Sequence, residues 1–130
     1  MTIAPRDLLA FASQLLNEHS EVAQRAAASR AYYGAYHLGR QVQAHFKIPL
    51  ADAKRDAGVH ENMIVALERC GGLPRAAEVK VQTLGTLLRQ CRDLRTEADY
   101  HIDQDFSAGK ATSTVSISRR AEKLALELLK

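Results

Sequence analysis

Apolar side chains recur at three- and four-residue steps along most of the chain, a period that belongs to helices and not to strands. Leu8, Leu9, Ala12, Leu15 and Leu16 make the first stripe, with Pro5 set to open its helix and the pattern fading near Asn17. Ser20 then offers an N-cap, and Glu21 complements the dipole of a second, long helix reaching about His45. Ala28, Ala31, Tyr32, Ala35, Gly39, Val42 and Phe46 form one face of that helix, its many small residues suited to the close approach of another. Ser29, Tyr33, His37 and Arg40 follow one another along a second face. Gly34 and Gly39 are expected to leave the helix unbroken.

The stretch Lys47 to Gly58, KIPLADAKRDAG, mixes Pro, Asp and Gly without sustained periodicity and reads as a loop. A short third helix follows from Val59 to about Cys70, with Val59, Met63, Ala66 and Cys70 in register and Gly71-Gly72 as its stop. Pro74 starts the fourth helix, which runs to about Tyr100 on a stripe of Leu84, Leu87, Leu88, Cys91, Leu94 and Ala98. Asp103, Asp105, Ser107 and Gly109 mark another connection. In ATSTVSIS a two-residue alternation competes, but Ile117, Ala121, Leu124 and Leu128 keep the helical step, so a fifth helix capped near Ser113 is expected. The expected fold is all-α, an up-and-down bundle of four to five helices in a single domain over residues 1–130.

Composition leaves this picture intact and narrows the chemistry. A chain of 130 residues can bury a core without metals or disulfides, and 46% hydrophobic with 25% charged residues is ordinary for a soluble domain. Eighteen Lys and Arg against 15 Asp and Glu give +3, which permits an anionic partner such as RNA but falls short of a basic nucleic-acid coat. Cys70 and Cys91 lack Cys-x-x-Cys spacing and histidines at zinc-ligand intervals, so both are expected to be small buried thiols and no metal is implied. No P-loop, dinucleotide or His-Glu-x-x-His string is present, and no cofactor is expected. No basic leader and no run approaching roughly twenty apolar residues is present, so no membrane association and a cytoplasmic location are expected.

The densest cluster of ionisable side chains falls in LRQCRDLRTEADYHIDQDF, from Leu88 to Phe106. Arg92, Arg95 and Asp99 share a face beside the apolar stripe, and Arg95 with Asp99 has the spacing of an intrahelical ion pair. Arg95 and His101 would point roughly 120° apart on an unbroken helix, so they converge only if the helix frays after Asp99 or if two chains meet there. Together they suit RNA phosphodiester cleavage: a histidine near its ordinary pKa moves a proton, an arginine holds the scissile phosphate, and the 2′-hydroxyl of RNA is the nucleophile. Tyr33, His37 and Arg40 on the second helix are candidates for phosphate or base contacts as well as for packing. His60 could face the same cleft, whereas His19 and His45 belong on the surface.

Three pieces together, SRAYYGAYHLGR on the long second helix, VHENMIVAL opening the third and LRTEADYHID ending the fourth, resemble the HEPN superfamily in its small stand-alone prokaryotic branch. The resemblance spans most of the chain from Ser29 onward. It implies a helical bundle that forms a homodimer, with the Arg-to-His signature falling on Arg95 and His101. It also implies a metal-independent endoribonuclease of a toxin-antitoxin or defence system, cutting RNA in a cleft shared by two chains. Arg95 would then bind the phosphate, His101 would act in acid-base catalysis or phosphate positioning, and Asp99 would orient Arg95. In one version of the signature a tyrosine lies two residues after the histidine; here that position is Asp103, with Tyr100 nearby. The resemblance equally admits a non-catalytic module that binds nucleotides or protein and partners a minimal nucleotidyltransferase, which in toxin-antitoxin pairs serves as the antitoxin. A plain dimerisation domain is the third expectation.

Overall fold

The computed structural model describes residues 2–50 and 58–130, and these form five helices and no strand. They are α1 (Pro5–Leu15), α2 (Glu21–His45), α3 (Val59–Glu68), α4 (Arg75–Tyr100) and α5 (Ala108–Leu128). Residues 51–57 of the expected loop lie outside the described residues. Ser20 caps α2 as expected, its Oγ accepting from the Ala23 N–H at 3.1 Å, a contact worth about 1 kcal/mol.

Six expectations are corrected. α1 ends at Leu15 and continues to Asn17 only as a turn, and α3 stops at Glu68 rather than Cys70. Pro74 is the N-cap of α4 and not its first helical residue. The cap of α5 lies six residues before the expected one, because Ser107 and not Ser113 accepts the first-turn N–H, from Lys110 at 3.1 Å. Val59, expected in the core register, is 62% exposed in the first turn of α3. Leu94 is only half-buried.

The pairs α1–α2, α2–α4, α3–α4 and α4–α5 run antiparallel. Gln24 at the start of α2 reaches the Leu16 and Glu18 carbonyls just past α1, and Gly34 lies where an added Cβ would be 2.9 Å from Leu9 Cγ. Along the α2–α4 seam Ser29 meets Asp99, Tyr33 meets Arg95, and Gly39 faces Leu88. Lys80 at the start of α4 pairs with Glu127 at the end of α5 at 3.2 Å. α2 packs against α1, α4 and α5, and α4 against α2, α3 and α5, so the core lies between these two long helices. Tyr32, Ala35 and Val42 of α2 and Leu84, Leu88 and Cys91 of α4 are all fully buried. Burying each large apolar side chain contributes about 1.5–3 kcal/mol.

The alternating ATSTVSIS segment is helical, with two of its small polar residues on the inward face and Thr112, Ser113 and Ser116 exposed. Thr114 and Ser118 are fully buried, Thr114 returning its hydroxyl to the Lys110 carbonyl at 2.8 Å and Ser118 Oγ meeting Cys91 Sγ at 3.3 Å. Burial pushes the Cys91 thiol up to about 11. Among the described residues no helix is long and apolar enough to cross a membrane.

Candidate functional site

Arg95 is the centre of the charged cluster, and α2 is what holds it. Its Nη2 donates to the Tyr33 hydroxyl at 2.7 Å, and its Nε lies 3.4 Å from Asp99 Oδ2, an ion pair without aligned hydrogen-bond geometry. Ser29 Oγ donates to the same Asp99 oxygen at 3.1 Å, so two residues one turn apart on α2 hold the arginine and its counter-ion. The guanidinium carbon sits 5.5 Å from the Tyr32 ring centroid, 5.2 Å from Tyr33 and 5.5 Å from Tyr100. The Arg95 side chain is only 11% exposed, held by rings, one hydrogen bond and an ion pair, which fixes its direction in advance of any ligand. Among the described residues no hydrogen bond or ion pair engages Nη1, and that nitrogen is not fully buried.

α3 completes the cluster. His60 lies flat on Tyr36, centroids 4.0 Å apart, and its Nδ1 is 2.6 Å from the Tyr32 hydroxyl. Burial, then Arg95, Arg92, His37 and Arg40, lower the His60 pKa below the ordinary histidine value. Beside it Glu61 accepts from Arg92 Nη1 at 2.6 Å and from Arg89 at 3.0 and 3.2 Å, and Arg89 also forks onto Glu68 at 2.8 to 3.1 Å. His37 and Arg40, both exposed, flank the cluster and also line a groove of about 500 Å³ between the start of α1 and α2.

His101 stands apart from this assembly. It is the C-cap of α4, with φ −103° and ψ 56°, and its imidazole is exposed and makes no hydrogen bond or ion pair among the described residues. Because α4 stays helical to Tyr100, Arg95 faces inward onto α2 while His101 leaves the helix end, as their spacing predicts for an unbroken helix. Within one chain the structure thus brings together Arg92, Arg95, Asp99, Tyr33, His60 and Tyr100, with His37 and Arg40 beside them, and leaves His101 out.

Two further residues matter that the sequence did not single out. Arg25 of α2 closes the end of α4, donating from Nη1 to the carbonyls of Ala98 at 2.9 Å and of Glu97 and His101 at 3.3 Å, and from Nη2 to that of Gln104. Its only local sign is the Glu21–Arg25 spacing, which forms a 3.2 Å ion pair. Arg89, with Glu61 and Glu68 seven residues apart on α3, sets α3 against α4. Among the described residues no group of three or more His, Cys, Asp or Glu is placed to hold a metal ion.

No family model, curated protein or solved structure matches the chain. Its site is therefore read from its own chemistry: an immobilised guanidinium with one free edge, a second arginine, a histidine and several tyrosine hydroxyls, a set suited to a phosphate-bearing ligand.

Proposed function

We propose that the protein binds the phosphodiester backbone of RNA on the face formed by α2, α3 and α4, and cleaves it without a metal in a cleft shared by two copies of the chain. The observation that carries this reading is Arg95, held by Tyr33 and Asp99 with its Nη1 edge free. In this scheme Arg95 binds a non-bridging phosphate oxygen. The 2′-oxygen forms a bond to phosphorus as the bond to the 5′-oxygen breaks, and a proton passes from the 2′-hydroxyl to the leaving oxygen, leaving a cyclic phosphate and a 5′-hydroxyl. His101 is the group for that transfer, exposed and unengaged in its own chain and hence free to meet the Arg95 of a second copy. Tyr100 and Ile102, 67% and 76% exposed on either side of it, supply apolar surface for a two-fold contact. The HEPN resemblance of the sequence agrees with this assignment and with a cytoplasmic toxin or defence role.

A second reading has its own support. Arg92 is already neutralised by Glu61 at 2.6 Å and Arg95 by Asp99, so the face can serve as a rigid binding surface for a nucleotide or a nucleotidyltransferase partner without doing chemistry. Incubation of purified protein with RNA in EDTA decides between them. Cleavage to cyclic phosphate ends that is lost in both Arg95→Ala and His101→Ala supports the first reading. Wild type as inert as His101→Ala, or His101→Ala as active as wild type, refutes it.

A further inference from the structure

The cleavage scheme leaves His60 without a part, yet its surroundings define its proton. The ring is stacked on Tyr36 with planes 7° from parallel, and Tyr33 meets it edge-on at 5.9 Å. Its Nδ1 is 2.6 Å from the hydroxyl of Tyr32, a residue with no exposed surface. Burial holds the Tyr32 phenol far above its ordinary pKa, so the hydroxyl keeps its hydrogen. Burial and the nearby cations keep the imidazole neutral at pH 7. A neutral imidazole that accepts at Nδ1 carries its hydrogen on Nε2, which points away from Tyr32. Among the described residues Nε2 makes no hydrogen bond, and it is not buried.

The charged groups around that N–H are mostly positive. α4 contributes Arg92 and Arg95, and α2 contributes Arg40, with His37 and the phenols of Tyr32, Tyr33 and Tyr36 beside them. From α3 itself comes Glu61, whose carboxylate is engaged by Arg89 and Arg92. An uncharged donor set among cations suits an anion, and the donor does not depend on the ring gaining a proton.

We propose that the Nε2–H of His60 is a preset, uncharged hydrogen-bond donor to a phosphodiester oxygen, and that His60 with Arg92 and Arg95 forms a phosphate-binding subsite. This deepens the reading above and rests on its anionic ligand, but assigns His60 no proton transfer. His60 is a binding residue here, and Tyr32 is the positioning residue that fixes its tautomer.

Two probes test this without any cleavage: dimethyl phosphate and a 2′-deoxy dinucleoside phosphate, neither of which has a 2′-hydroxyl. Imidazole nitrogen NMR of the full chain should show His60 neutral with its hydrogen on Nε2 at pH 7, and both probes should shift that signal saturably. Because a phosphodiester keeps one charge throughout, affinity should change less than about twofold between pH 6.5 and 8. His60→Gln, whose amide nitrogen can take the place of Nε2, should retain binding, while His60→Asn, whose amide nitrogen takes the place of Nδ1, should lose about tenfold, the loss of one hydrogen bond to a charged group. Tyr32→Phe should lower the fraction of the Nε2–H form and weaken binding. A protonated or Nδ1–H His60 at pH 7, no saturable shift, or equal affinity in the Gln and Asn variants overturns the proposal. A shift at His60 in a protein that does not cut RNA sinks only the ribonuclease reading, and RNA cleavage with no shift at His60 sinks only the subsite.

Discussion

Replacing Arg25 by Met tests whether one side chain of α2 governs the end of α4. Met keeps most of the aliphatic stem, so the difference reports on the guanidinium, which is 11% exposed and lies 5.6 Å from the Phe106 ring centroid. The Ala98 contact at 2.9 Å is of full strength and the Gln104 carbonyl is engaged by the other terminal nitrogen, whereas the contacts to Glu97 and His101 at 3.3 Å are weak. Two strong hydrogen bonds from a charged donor at about 1.5 kcal/mol each, with about 0.5 kcal/mol from the helix dipole, give an upper value of about 3.5 kcal/mol. Water can reach the freed carbonyls at the helix end and recover part of that, leaving about 2–3 kcal/mol. The half-exposed Glu21 partner adds little. For a domain of this size the Tm should fall by roughly 10 °C. Hydrogen exchange localises the effect: the amides of His101 and Gln104, bonded to the Glu97 and His101 carbonyls, should lose protection beyond the global change, and Leu84 and Leu88 should not. A Tm within about 2 °C of wild type with unchanged exchange at these amides would refute the reasoning.

The remaining predictions concern α3 and Arg95. Gly85→Ala places a Cβ 2.8 Å from the Glu68 backbone nitrogen and should cost about 1–2 kcal/mol by urea unfolding after the helix-propensity gain, whereas at Gly39 the nearest atoms are the flexible side-chain ends of Leu88, Met63 and Leu67, so Gly39→Ala should be near neutral; the reverse order would contradict the packing. The hydrogen bonds of Arg89, with Arg92, hold the Glu61 carboxyl below the usual range against the effect of burial. A folded pKa below the unfolded one means stabilisation that is present above about pH 4.3 and lost as pH falls through the folded value. The stability gap between wild type and Glu61→Gln should therefore be wide at pH 7 and close in acid, and a gap constant down to about pH 3 would count against the network. Tyr33→Phe leaves Arg95 Nη2 without its acceptor and should cost about 1–2 kcal/mol, with weaker dimethyl phosphate binding measured by NMR titration; unchanged affinity would mean that Arg95 needs no support from α2.

What the sequence disclosed was whatever depends on neighbours three or four residues away. The buried face of α2, the Ser20 cap and the α4 stripe from Leu84 to Ala98 are of this kind, and so is the Arg95–Asp99 pair, 3.4 Å apart. Ser107 and Ser113 are equivalent as local cap candidates, and only the first stands where the connection from α4 ends. Tertiary partners left no such trace. Arg25 meets residues more than seventy positions away, and Glu61 is bound by arginines 28 and 31 positions on. Neither shows a periodicity of its own, because a long polar side chain reaching across a bundle is set by helix packing and not by its own helix.

The closed end of α4 bears directly on the chemistry. With its last carbonyls taken by Arg25, the helix has little to gain by unwinding before Tyr100, so Arg95 stays against Tyr33 and His101 stays beyond the cap. Fraying is thereby disfavoured as a way to bring the two together in one chain. One route remains. A second copy can present its His101 to the free edge of Arg95, which makes cleavage depend on protein concentration. Without that second copy, Arg95 and His60, whose neutral N–H binds and does not transfer protons, leave the face able to recognise phosphate but not to break it.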